Sequence, residues 1–355
     1  KVINLAGVKY QNKDIYVIIP LNNEAEPEYI TVANNTYKLY GDGTLKALGE
    51  KTVNSGYTSS EVNEINNSWD EFDLKSINER FDNRMNLPET LTSDWYAGHV
   101  YFSTGTAYVI DQNNDLWAWG ANDYNKLGLG HSFLVVEPTK ILEGRCEGKE
   151  NVKASKVWAG NYNTFIVDTD GELWACGSNE NGILGQGNGN YNSKWVNIDY
   201  INGNDIKSME IAINKAIIIM NDGTVYGAGA DMLRNKFYEL VSYKNAKQIE
   251  TESSSLWYID AKGDLYGSGY GGVFNLNYNV KTENPIKITE NVKKLRSTYN
   301  FILYITEENK LYLRIATSHE TVEIKGIDIN DNTELIGQSY LAMVICIILI
   351  IIPEK

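Results

Sequence analysis

Short runs of β-branched and aromatic residues recur along this chain, each closed by a polar turn and answered by a second apolar run. Thr164-Phe165-Ile166-Val167, Ala216-Ile217-Ile218-Ile219-Met220, Leu256-Trp257-Tyr258-Ile259 and Phe301-Ile302-Leu303-Tyr304-Ile305 are such first runs. Their length and composition suit buried strands. The turns carry Asp-Gly or Lys-Gly, where glycine supplies the positive φ of a tight hairpin. The phrase is fullest from Asp168 to Gly177 (DTDGELWACG), with near-copies from Asp111 to Gly120, Asn221 to Gly229 and Asp260 to Gly269. Worn copies run from Gly41 to Gly49 and from Glu307 to Leu313. The repeating unit is a β-hairpin.

The Leu or Val after each turn falls at positions 45, 116, 173, 225, 265 and 311, so the spacings are 71, 57, 52, 40 and 46 residues. A lone hairpin leaves two edges unpaired and cannot bury its own apolar faces, so such units must stack. Radial stacking of small antiparallel sheets gives a β-propeller. Gly337 to Ile345 aligns with Gly160 to Asp168 as one more unit, and seven units of about 51 residues fill the chain. The expected fold is all-β: a seven-bladed propeller of four-stranded antiparallel blades, one domain over residues 1–355. Residues 1–30 are expected to supply strands that complete the ring.

Two stretches break the pattern. The wide first spacing predicts a helical insertion at about residues 50–94. Thr58-Ser59-Ser60-Glu61 reads as a capping box. Val62, Ile65, Trp69 and Phe72 then recur at helical spacing, followed by Leu74, Ile77 and Phe81 beyond Asp73. One or two short helices are therefore expected within 58–86, either docked on a blade edge or serving as a lid or partner contact. At the other end, Leu341 to Ile352 is a run of twelve apolar residues. About 20 are needed to span a bilayer. The run reads as a strand of the closing blade with an irregular end over 341–355; a membrane stub is the other reading.

The repeat resembles that of the regulator of chromosome condensation family, which builds seven-bladed propellers. The family's blade ends in Asn-x-x-Gly-x-Leu-Gly-x-Gly. Here Asn122-Asp123-Tyr124-Asn125-Lys126-Leu127-Gly128-Leu129-Gly130 and Asn179-Glu180-Asn181-Gly182-Ile183-Leu184-Gly185-Gln186-Gly187 carry that ending in consecutive units. The units marked at 225, 265 and 311 lack it. The Asn, Ile and Lys bias points to an AT-rich bacterial source, so the chain reads as a divergent bacterial-type member. The resemblance implies protein partners: some family members are nucleotide exchange factors for small GTPases, and some bacterial relatives inhibit β-lactamase.

Charge and chemistry narrow this further. The formal net charge is −14, from 46 acidic and 32 basic residues. Phosphate repulsion argues against nucleic acid or an anionic membrane, and an acidic surface favours solubility or a basic protein partner. Cys146, Cys176 and Cys346 match neither zinc pairs nor a disulfide framework. The chain opens at Lys1 instead of Met, which suggests that an N-terminal region has been removed.

Gly267 to Gly272 fits G-x-G-x-x-G, but Val273 to Tyr278 carries no helical signal, and a dinucleotide site needs a helix there. Asp168-Thr169-Asp170-Gly171 opens like a calcium loop, but strand residues occupy the remaining ligand positions. His99, His131 and His319 share no ligand spacing. No nucleophile elbow, phosphate loop or zinc-protease motif is present in the sequence. No catalytic, cofactor or metal site is assigned.

The resulting expectation is a non-catalytic, monomeric protein-binding disc, secreted or on a cell surface. The alternatives are an exchange-factor-like regulator of a small GTPase in the cytoplasm, or a propeller enzyme acting on polysaccharide. Propeller loops gather at two faces, and aromatic residues are good anchors there. Trp119, Tyr124, Tyr162, Tyr191 and Tyr299 are the candidate partner contacts.

Overall fold

The computed structural model describes residues 2–10, 13–18, 29–32, 36–39, 45–50, 65–103, 105–187, 191–230, 234–252, 255–270, 281–297, 301–315, 320–331, 333–341 and 345–351. Up to residue 71 and beyond residue 335 the description is of backbone alone. Two compact units are distinguished: residues 27–218 with 227–238, and residues 1–26 with 219–226 and 239–355.

In the first unit three sheets are four-stranded antiparallel meanders, each strand pairing with the next in sequence. One comprises Tyr29–Val32, Thr36–Leu39, Leu45–Glu50 and Ile65–Glu71. A second comprises Val100–Ser103, Thr106–Ile110, Leu116–Gly120 and Val135–Lys140. The third comprises Ala154–Ala159, Asn163–Asp168, Glu172–Ser178 and Tyr191–Asn202. The middle strands of these last two sheets are buried along almost their whole length. That is why their sequences read as continuous apolar runs instead of alternating ones.

The second unit holds two more such meanders. Their strands are Gln248–Glu252, Ser255–Ile259, Leu265–Tyr270 and Lys281–Thr289, then Val292–Ser297, Phe301–Thr306, Leu311–Ile315 and Thr321–Ile324. Ile206–Ile211, Lys215–Met220, Val225–Gly229 and Arg234–Glu239 line up in the same sequential order.

One sheet departs from the expected antiparallel pattern. Val2–Tyr10 pairs with Lys13–Ile18, which pairs with Ile345–Ile351, which pairs with Glu334–Leu341. The central pairing is parallel, with Asp14 to Ile18 matched to Ile345 to Leu349. The apolar run at the C-terminal end therefore includes a strand, and its neighbour comes from the first residues of the chain. Among the described residues no helix is long and apolar enough to cross a membrane.

The helical expectation is corrected in part. Ile65–Glu71 is a strand paired with Leu45–Glu50, so the spacing of Ile65, Trp69 and Phe72 marks no helix. Strand pairing across the sheet overrides a weak 3.6-residue period over so few residues. Thr58 to Glu61 lies outside the described residues. Helix α1 (Leu74–Arg80) does form, capped by Asp73, whose carboxylate accepts from the Ser76 amide at 3.0 Å. A second helix, α2 (Ser93–His99), is capped by Thr92, whose hydroxyl accepts from the Trp95 amide at 3.3 Å.

Helix α1 and its flanks are docked on the neighbouring sheet. Leu74, Ile77 and Met85 join one apolar cluster with Val109, Trp117, Trp119 and Trp174. Phe72 lies edge-on to Phe102 at 5.2 Å and stacks on Trp119 at 6.2 Å. Buried Asn78 exchanges two hydrogen bonds with the Met85 backbone, both at 3.0 Å, so its amide is not left unpaired.

Adjacent first strands are tied by single long side chains. Lys156 donates to the Ile206 carbonyl at 3.2 Å. Gln248 accepts from the Leu295 amide at 3.0 Å and donates to the Leu295 carbonyl at 2.5 Å, extending the ladder by a side chain. Lys294 donates to the carbonyls of Asp331 and Thr333 at 3.0 and 2.9 Å.

Candidate protein-binding loops

The two full repeats are built by the same two devices. The first fixes the hairpin. Asp111 accepts from the amides of Asn113 and Asp115 at 2.9 and 3.1 Å and from the Trp117 indole at 2.9 Å. Asp168 accepts from the amides of Asp170 and Glu172 at 3.0 and 2.9 Å and from the Trp174 indole at 3.0 Å. One carboxylate thus closes the turn and anchors the aromatic of the returning strand. The calcium-like spelling around Asp168 is this hairpin, and its cation is Lys149. The Lys149 ammonium lies 2.8, 2.7 and 2.6 Å from Asp168, Asp170 and Glu172. Burial raises the Asp168 pKa, but Lys149, the Glu172 amide and the Trp174 indole outweigh it and leave the carboxyl below its ordinary range.

The second device fixes the loop after the hairpin. The Asn122 side chain accepts from the Leu127 amide at 2.9 Å and donates to the His131 carbonyl at 2.6 Å. The Asn179 side chain does the same with the Leu184 amide at 3.0 Å and the Gly187 carbonyl at 3.1 Å. The buried asparagine therefore spans its loop from both ends. Gly128 lets that loop pack tightly: its φ is +67°, and a Cβ there would lie 2.4 Å from the Trp195 indole nitrogen.

Between Asn and Leu the loop turns through the left-handed region. Tyr124 has φ +55° and Asn181, its counterpart, φ +60°. Asparagine is common in this conformation; a tyrosine is unusual. The Tyr124 side chain is 50% exposed. Its ring lies 4.8 Å from that of Tyr162, tilted by 55°. Tyr162 belongs to the turn between the Ala154–Ala159 and Asn163–Asp168 strands, so loops of consecutive repeats meet at this pair. Exposed Phe133 lies nearby along the chain, its ring 5.6 Å from His131.

The other sequence candidates fall elsewhere. Trp119 is 1% exposed and packs on Phe72, so it belongs to the core and cannot meet a partner. Tyr191 begins a strand, and its side chain is outside the description. Tyr299 and His319 lie outside the described residues. The His99 Nδ1–H donates to the Trp95 carbonyl at 2.8 Å, and the ring stacks on that of Trp95. Among the described residues no group of three or more His, Cys, Asp or Glu is placed to hold a metal. Cys146 and Cys176 are free and buried; burial pushes the Cys146 thiol up to about 12 and the Cys176 thiol well above its usual value. Sequence reasoning missed both devices, although Asp111 and Asp168, like Asn122 and Asn179, stand at matching places in aligned copies.

Residues 113–167 and 155–183 match the regulator of chromosome condensation (RCC1) repeat. The X-linked retinitis pigmentosa GTPase regulator homolog of Caenorhabditis elegans is 29% identical over 34% of this chain. The secretion-regulating guanine nucleotide exchange factor of Mus musculus is 28% identical over 33% of it. These matches span 8% and 24% of the two relatives' own lengths. Among solved structures, Prp20p of Saccharomyces cerevisiae, a protein with described binding to Gsp1p and histones, superposes with a TM-score of 0.58 at 13% identity. That superposition covers 82% of this chain and 75% of Prp20p. The fold is that of an RCC1-like β-propeller.

Proposed function

We propose that the chain is a seven-bladed RCC1-type propeller that binds and regulates a small GTPase through loops on one face. The carrying observation is a coincidence of position. The stretch matching the family repeat, residues 113–183, is the stretch that joins Tyr124 to Tyr162. Relatives named as a GTPase regulator and an exchange factor support this reading over a secreted bacterial binder. Such a partner would place the chain in the cytoplasm.

The chemistry of exchange suits these loops. Nucleotide release is accelerated by binding the nucleotide-free GTPase more tightly than the loaded one, which needs differential contact and no acid–base pair. Large rigid aromatics at loop tips provide contact area at low entropic cost.

The test is stopped-flow release of a fluorescent GDP analogue from a panel of purified small GTPases. Acceleration of at least one member at micromolar propeller is the expected result. If no member shows either binding or faster release, the GTPase reading fails.

A further inference from the structure

Tyr124 occupies a backbone position made for asparagine. The matching residue of the next repeat is Asn181, at nearly the same positive φ. Holding an aromatic residue there strains the backbone. Among the described residues, the one ring in contact with Tyr124 is that of Tyr162, and half the Tyr124 side chain stays in solvent. Part of the ring packs on Tyr162, and the rest is open to a partner.

The surroundings indicate what the ring meets. Exposed Asp123 precedes Tyr124 directly. Exposed Glu180 is linked to Tyr162 through Ser178, whose amide donates to the Tyr162 carbonyl at 2.8 Å and whose hydroxyl accepts from the Glu180 amide at 3.4 Å. Residues 121–130, 160–163 and 178–187 contain one cationic residue, Lys126, and it is fully buried. The loops thus offer electron-rich ring faces and two free-standing carboxylate positions, with no exposed cation of their own to answer them.

We infer that Tyr124, Tyr162, Asp123 and Glu180 form a docking site for an arginine side chain of a partner protein. The guanidinium lies over a tyrosine ring while a carboxylate neutralises its edge, an arrangement that arginine's planar fork fits better than lysine's ammonium. This rests on the protein-binding reading above but does not require the partner to be a GTPase.

The test uses a Gly-Ser peptide carrying two arginines and the same peptide with citrulline, which keeps the shape and removes the charge. Each is titrated into the full chain by calorimetry. The arginine peptide is expected to bind about tenfold more tightly than the citrulline one. Tyr124→Asn should abolish that difference without lowering the melting temperature, since asparagine already serves at position 181. Asp123→Asn should weaken binding about threefold and flatten its salt dependence. Equal affinity for both peptides overturns the proposal. So does unchanged arginine binding in Tyr124→Asn, which would mean attraction by net charge alone, because that variant keeps every charge. An intact arginine preference together with no effect on nucleotide release by any GTPase would remove the GTPase reading and leave this site standing.

Discussion

The indole N–H of Trp174 donates to Asp168 at 3.0 Å, inside a hairpin whose turn amides the same carboxylate accepts. Two letters that recur between repeats are therefore a single mechanical part. Asp168→Asn should destabilise the fold by about 1.5–3 kcal/mol, because it weakens charge-assisted bonds and turns one acceptor into a donor facing donors. Trp174→Phe should cost about 1–2 kcal/mol. A double-mutant cycle by urea unfolding should give a coupling of about 1 kcal/mol between them; strict additivity would mean the bond contributes nothing.

Acid should weaken the fold through these carboxylates, because their charged form is the one the folded chain holds. Asp115 behaves like Asp168: burial raises its pKa, but Lys153 and Lys140 outweigh that and hold it below the ordinary range. A carboxyl with a depressed folded pKa contributes stability that is complete above its unfolded value, near 3.9. That stability is lost as pH falls through the folded value. Unfolding followed by circular dichroism should therefore set in below about pH 4. Lys149→Met should lower stability at neutral pH and flatten its fall on acidification, since the folded Asp168 pKa would lose its main depressing partner. A pH profile of the same slope and height would mean the cluster is electrostatically idle.

Gly128 separates backbone strain from steric fit. Alanine there meets both a φ of +67° and the Trp195 indole, which itself donates to the Ile141 carbonyl at 2.9 Å. Alanine at Gly130 meets a φ of +81° and no atom within 4 Å. Gly128→Ala should lower the melting temperature clearly more than Gly130→Ala and shift tryptophan emission to the red. Equal effects would mean that close packing on Trp195 does not matter.

The repeat can also be repaired. Asp260 accepts from the amides of Lys262 and Asp264, both at 2.9 Å, but the residue matching Trp174 is Tyr266, stacked on Tyr258 at 5.0 Å. Tyr266→Trp would present an indole N–H to Asp260. A stabilisation of about 0.5–1.5 kcal/mol is expected by chemical denaturation. Loss of stability would show that the tyrosine stack outweighs the missing bond.

The hairpins could be read from sequence because their signals are local: an apolar run, a glycine turn, an aromatic return. What Asp168 does was hidden, since a turn aspartate and an indole acceptor look alike until the strands pair. Asn122 and Asn179 were visible as motif letters, but their role depends on a loop closing back over five to nine residues. The 65–72 stretch was misread because its period-3.6 spacing is short and its partner strand lies across a sheet. Tyr124 and Tyr162 were both legible as candidate contact aromatics; their contact was not, because it joins two repeats.

The parallel match of Asp14–Ile18 with Ile345–Leu349 carries a temporal consequence. A ribosome delivers the first of these partners hundreds of residues before the second. Until then Lys13–Ile18 has one neighbour, Val2–Tyr10, and an open edge able to pair with any passing strand. Translation of this chain thus carries an interval in which the edge of Lys13–Ile18 stays uncovered until Ile345–Ile351 has been made.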